Sequence, residues 1–121
     1  MPPSSSTSAG AIYLDKARRI DELRQAARRA LLQLRSIRRM ILFGSLVAGT
    51  PTPRSDADIL VVVDTSLHAQ SRDRVPDMLR AMSPLPCPVD LFILTKDEFE
   101  RAQDEGAPLV REALGSGIDL L

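Results

Sequence analysis

Leu42-Phe43-Gly44-Ser45, ten further residues, then Asp56-Ala57-Asp58 running into Ile59-Leu60-Val61-Val62-Val63: this stretch decides how the chain is read. The apolar run Arg39-Met40-Ile41-Leu42-Phe43 stops at Gly44-Ser45 and reads as a buried strand ended by a turn. Ala57 to Asp64 is rich in β-branched residues and reads as a second, central strand. Between them Thr50-Pro51-Thr52-Pro53 forms a rigid loop. Gly44 lets the backbone approach a ligand closely. Ser45 adds a hydroxyl and an amide, and a short helix starting there would point free amides at an anion such as a phosphate. Asp56 and Asp58 stand two apart on a strand, so their carboxylates leave the same face. Carboxylates that close repel unless a cation neutralises them. Hard oxygen donors suit Mg²⁺, which binds through one or two carboxylates plus substrate phosphates.

A third apolar strand, Val89-Asp90-Leu91-Phe92-Ile93-Leu94, carries one more carboxylate near its start. On a neighbouring strand, Asp90 completes a cluster of three that holds two metals for in-line displacement at phosphorus. An Asp-x-Asp pair alone carries little weight. The full Gly-Ser-x10-Asp-x-Asp pattern is expected on the order of 0.004 times by chance from this composition.

Working outward, Ile20, Leu23, Ala27, Ala30, Leu31 and Leu34 recur at helical spacing and predict a helix over about Leu14 to Leu34. Residues 1–10, rich in Pro and Ser, read as a mobile tail, and residues 11–121 as a single domain. Ser71 to Met82 reads as helical, with Pro76 tolerable only in the first turn. Ser83 to Pro88 holds three prolines and is a loop. Thr95 and Glu98 match a capping box opening a helix that runs to about Asp104. Pro108 and Gly115 bracket another helix, and Ile118 to Leu121 adds a short edge strand. The fold class is α+β: a mixed β-sheet flanked by helices.

Composition closes off several function classes. Aromatics are few (Tyr13, Phe43, Phe92, Phe99, no Trp), so a stacking platform for single strands is not expected, nor is direct nucleic-acid binding. One cysteine, Cys87, excludes an internal disulfide and a cysteine-based zinc cage. No apolar run approaches the ~20 residues of a membrane helix, and the start lacks the order of a signal peptide, so a cytoplasmic protein without membrane contact is expected. The 16 basic and 16 acidic residues balance overall. They are unevenly placed, with a surplus of basic residues up to Val63 and of acidic residues from Asp64 on.

Leu42-Phe43-Gly44-Ser45, Asp56-Ala57-Asp58 and Val89-Asp90-Leu91 resemble the minimal nucleotidyltransferases of the DNA polymerase β-like superfamily. The resemblance spans about residues 15–121 and implies the polymerase β-like nucleotidyltransferase fold. By this resemblance Gly44 and Ser45 bind the β/γ-phosphates of a nucleoside triphosphate. Asp56 and Asp58 ligate Mg²⁺, two ions in all, and Asp90 is the third carboxylate, which helps activate the attacking hydroxyl. The family transfers a nucleoside monophosphate to a hydroxyl and releases pyrophosphate, with ATP as the expected donor. Members this short often act as antitoxins beside a HEPN-domain toxin, some by adding AMP to a tyrosine of that toxin. A hetero-oligomer with such a partner is therefore an expectation. Relatives often carry arginines after Gly-Ser, whereas here Leu46-Val47-Ala48 follow. Cationic help for a triphosphate must come from elsewhere, from Arg54, Arg38 or Arg39.

Three functions stay open at this point: a protein nucleotidyltransferase, a small-molecule transferase of the antibiotic-modifying kind, and an antitoxin that acts by contact alone. The arginine-rich first helix reads first as a solvated face on a core-packed helix, with a nucleic-acid surface or a dock for an acidic partner as the alternatives. His68 reads as a loop residue, Asp64 as the end of its strand, and Cys87 as a bystander thiol.

Overall fold

The computed structural model describes residues 4–48 and 57–121. Its elements run α1 (Ser4–Gln33), β1 (Ile37–Phe43), α2 (Ser45–Ala48), β2 (Ala57–Val63), a 3-10 turn (Ser71–Arg74), α3 (Val75–Met82), β3 (Val89–Thr95), α4 (Lys96–Asp104), α5 (Pro108–Ser116) and β4 (Ile118–Asp119). The four strands form one mixed sheet in the order β3-β2-β1-β4. β2 and β3 are parallel, while β1 runs antiparallel to both β2 and β4.

The central strands are apolar on both sides because both sheet faces are covered. Met40, Leu42, Ala57, Ile59, Val61, Leu91 and Ile93 project to one face, against Leu23, Ala26, Ala27 and Ala30 of α1 and Met78, Ala81 and Met82 of α3. Ile41, Phe43, Leu60 and Val62 project to the other, against Phe99 of α4 and Val110 and Ala113 of α5. Strand alternation therefore assigns every apolar residue of β2 to one of two cores.

The helices follow the local signals closely, with instructive differences. α1 begins at Ser4, ten residues before the expected start at Leu14, and so overlaps the stretch read as a tail. No proline interrupts residues 4–33, so the backbone continues past the packing stripe, which marks where the helix docks rather than where it starts. Leu31, expected in that stripe, is 37% exposed, and Ala26 is buried in its stead. Pro76 sits in the first turn of α3, the position at which its missing amide is harmless, with the 3-10 turn leading in. The capping box of α4 forms in full: Glu98 N donates to Thr95 Oγ1 at 3.2 Å, and Thr95 N donates to Glu98 Oε1 at 2.8 Å. The Thr50–Pro53 loop lies outside the described residues. No described helix is long and apolar enough to cross a membrane.

A buried cation ties the 3-10 turn to this cap. Arg74 is 7% exposed and spends its guanidinium on the carbonyls of His68, Ala69 and Ile93 and on both carboxylate oxygens of Glu98, at 2.5 and 3.2 Å. The Arg74 side chain first, then the Thr95 amide, pull the Glu98 carboxyl down from 4.5 to about 2, overcoming the opposing effect of its burial. A charge this buried is tolerable because every arm of the fork has an acceptor.

Candidate active site

Three elements bring the candidate residues to one end of the sheet. β1 ends at Phe43, β2 begins at Ala57 and β3 begins at Val89. Asp58 is the register partner of Phe43 on β1 and of Asp90 on β3. Partners in adjacent strands stand about 4.8 Å apart and point to the same face, so the carboxylates of Asp58 and Asp90 leave the sheet side by side. That face is the one carrying Leu60, Val62 and Phe92, with Phe43 packed 6.0 Å from Phe92 between ring centroids. Asp58 is half-buried and Asp90 is exposed. Carboxylates this close repel one another unless a cation neutralises them, and hard oxygen donors suit Mg²⁺.

Gly44 fits against this pair. Its φ is +85°, a left-handed conformation that residues with a Cβ rarely adopt. A Cβ built there would fall within the contact radius of Asp58 Oδ2 and stand 3.1 Å from Asp58 Cγ. The glycine is thus required twice, by the turn and by the carboxylate. Directly after it, α2 opens at Ser45, with Val47 N donating to Gly44 O at 3.1 Å.

Of the expected site residues, the structure gathers Gly44, the backbone of Ser45, Asp58 and Asp90. Asp56 and Arg54 lie outside the described residues. Among the described residues no three His, Cys, Asp or Glu side chains are grouped to hold a metal. Asp58 and Asp90 supply two oxygen donors of the kind Mg²⁺ takes, so the donor set fits that ion as far as it is described.

Two of the arginines considered for triphosphate charge stand elsewhere. Arg38 pairs with Asp64, just beyond the far end of β2 and about 20 Å along the strand direction from Asp58. Arg39 lies over the Phe99 ring at 5.9 Å and reaches Asp119 at 3.5 Å. Leu46, where relatives often carry an arginine, is fully buried in the α1 core, and Val47 packs against the same cluster. Among the described residues a cation that does reach α2 is Lys16, whose Nζ donates to Val47 O at 3.2 Å. Nothing in the sequence signalled Lys16, because the contact spans 31 positions and depends on how α1 crosses the sheet.

Comparison with known proteins adds two findings. The family model described as a nucleotidyltransferase domain matches residues 22–119. A crystal structure of a toxin-antitoxin with AMP-PNP superposes with a TM-score of 0.54 at 21% identity, over 81% of this chain and 72% of that one, a likeness of fold. No curated protein sequence matches the chain.

Proposed function

Since this chain belongs to the nucleotidyltransferase domain family, we propose that it transfers AMP from ATP to a hydroxyl of a partner protein, as the antitoxin of a HEPN-domain toxin. The observation that carries this reading is the register pair Asp58–Asp90 with the bare backbone of Gly44 seated against the Asp58 carboxylate. The toxin-antitoxin complex of like fold supports the choice of partner class.

Asp58 and Asp90, joined by Asp56, would hold two Mg²⁺ ions, with Asp58 the better ordered ligand because it is half-buried between β1 and β3. Bound there, the metal would lower the pKa of the acceptor hydroxyl and neutralise charge on the triphosphate. Gly44 leaves room for the phosphates where any side chain would collide with Asp58. Ser45, at the start of α2, offers its amide to the β/γ-phosphates, and Arg54 supplies the cation that buried Leu46 does not. Exposed Asp90 faces the incoming hydroxyl and accepts its proton as the oxygen attacks the α-phosphorus. Pyrophosphate leaves and a phosphodiester forms on the acceptor.

The test is transfer from α-phosphate-labelled ATP with Mg²⁺ to the co-purified partner. The proposal expects a labelled partner with the wild type and none with Asp58→Asn. Label from the γ-phosphate instead would make the chain a kinase and overturn the reading. A second reading, antitoxin action by contact alone, is favoured by the burial of Leu46 and by the distant engagement of Arg38 and Arg39. It expects partner binding and neutralisation to survive Asp58→Asn and Asp90→Asn together, with no label transferred.

A further inference from the structure

One face of α1 carries charge that no described carboxylate pairs with. Arg18, Arg24 and Arg28 stand on the side of α1 turned away from Leu23, Ala26, Ala27 and Ala30, and Arg35 follows in the turn just after the helix ends at Gln33. Among the described residues none of the four holds a carboxylate, whereas Arg38, Arg39, Arg74 and Arg80 each hold one. Asp15, Asp21 and Glu22 are the carboxylates on the same stretch of the helix, and none of them pairs with these arginines. Within the same stripe Leu32 is 77% exposed and Leu31 37%. A charged helix face needs no explanation as a solvated surface, but adjacent exposed leucines between unpaired arginines are the pattern of an interface core inside a charged rim.

The leucines also choose the class of partner. A phosphate backbone offers nothing for Leu31 and Leu32 to bury against, and no aromatic residue stands between Asp15 and Arg35 to stack on a base. An amphipathic helix with an apolar ridge flanked by Asp or Glu matches both features at once. We propose that this face of α1 docks a partner protein through such an acidic amphipathic helix. The surface lies over the sheet face that carries Ile59, Val61 and Leu91, while Asp58 and Asp90 project to the opposite face. Docking there leaves the carboxylate pair open, so holding the partner and acting at the carboxylates are separable. The inference stands on the α1 surface and not on the transfer reading.

The test uses a fluorescent synthetic peptide of about 20 residues in Leu/Glu heptads, a matched peptide with Lys in place of Glu, and a single-stranded RNA of similar length. The wild-type chain is expected to bind the acidic peptide at least about tenfold more tightly than the lysine peptide at low salt, with the preference shrinking as salt rises. Arg24→Glu with Arg28→Glu, and separately Leu32→Asp, are each expected to weaken binding about tenfold or more while leaving the circular dichroism unchanged. Asp58→Asn binds the acidic peptide as the wild type does, so a failure of transfer chemistry leaves this result standing. Equal affinity for both peptides, or no effect of either variant, overturns the proposal. RNA bound more tightly than the peptide and lost in the arginine variant would make the stripe a phosphate surface. Self-association in sedimentation that Leu32→Asp abolishes would assign it to a second copy, whose α4 is itself acidic. Either result overturns the proposal.

Discussion

Replacing Gly44 by alanine tests the geometry of the site at its tightest point. The position has φ +85°, and a left-handed residue with a Cβ costs about 1–2 kcal/mol. The new methyl would also collide with Asp58 Oδ2 and sit 3.1 Å from Asp58 Cγ, so the carboxylate must turn away. Forcing it off its rotamer adds about 0.5–1.5 kcal/mol, for a total of about 1.5–3.5 kcal/mol. In a chain of this size that is a fall in Tm of about 6–14 °C. The consequence for activity is steeper, because a displacement of about 1 Å in a catalytic group costs about a hundredfold in rate. The two contributions separate in a double-mutant cycle with Asp58→Ala, measured by urea unfolding. Without the carboxylate, Gly44→Ala retains its backbone cost and loses the collision, giving a coupling of about 1 kcal/mol. Additive effects in the cycle, or a wild-type Tm for Gly44→Ala, would refute the claim that Gly44 and Asp58 are packed against one another.

Asp90→Asn keeps the fold, since the residue is exposed, and is expected to lower transfer at least about a hundredfold; a rate within twofold of wild type would remove Asp90 from the site. Leu46→Arg, which restores the residue type common in relatives, is expected to destabilise the chain by about 3 kcal/mol or more, because the side chain is fully buried; a soluble variant with wild-type Tm would contradict the placement of α2. Arg74→Met removes the side-chain donor of the His68 and Ala69 carbonyls and the charged partner of Glu98, while Ile93 O keeps Ser71 Oγ and Glu98 keeps Thr95 N; it is expected to cost about 2–3 kcal/mol in urea unfolding, discounted from a fully buried pair because Glu98 is partly exposed. The Glu98 carboxyl is lowered in the folded state, so its contribution is fully present above the unfolded value of 4.5 and is lost as pH falls through about 2. The stability gap between wild type and Glu98→Gln should therefore close on acidification across that window, and a gap independent of pH there would show that Arg74 does not hold the charge. Chelating divalent metal should stop transfer and Mg²⁺ should restore it, whereas activity that survives chelation would detach the carboxylates from metal binding.

The parts of this fold that could be read from sequence are those governed by neighbours along the chain. Apolar runs ended by Gly44-Ser45 and opened by Ala57 gave β1 and β2, and Thr95 with Glu98 gave the start of α4. Pro76 restricted where α3 could begin. The placement of Asp90 on a strand beside Asp58 was expected, but the register that makes them partners comes from the parallel pairing of β2 and β3, which local sequence does not encode. Arg74 shows the limit clearly. It sits in a 3-10 turn with no periodic signal, and its role arises from His68, Ala69, Ile93 and Glu98 converging on it in space. Arg38 and Arg39 differ for the opposite reason: a register irregularity between Ile37 and Arg39 and the pairings of β1 decide where they lie, and they are engaged by Asp64 and by Asp119 with Phe99.

The central claim is that the Asp58–Asp90 site transfers a nucleoside monophosphate to a protein. Its most direct test is the intact mass of the partner protein after co-expression with this chain. The account predicts that the partner gains the mass of one nucleoside monophosphate, and that the gain disappears with Asp58→Asn while the two proteins still co-purify. An unmodified partner in the presence of the wild-type chain, or equal modification with Asp58→Asn, would contradict it.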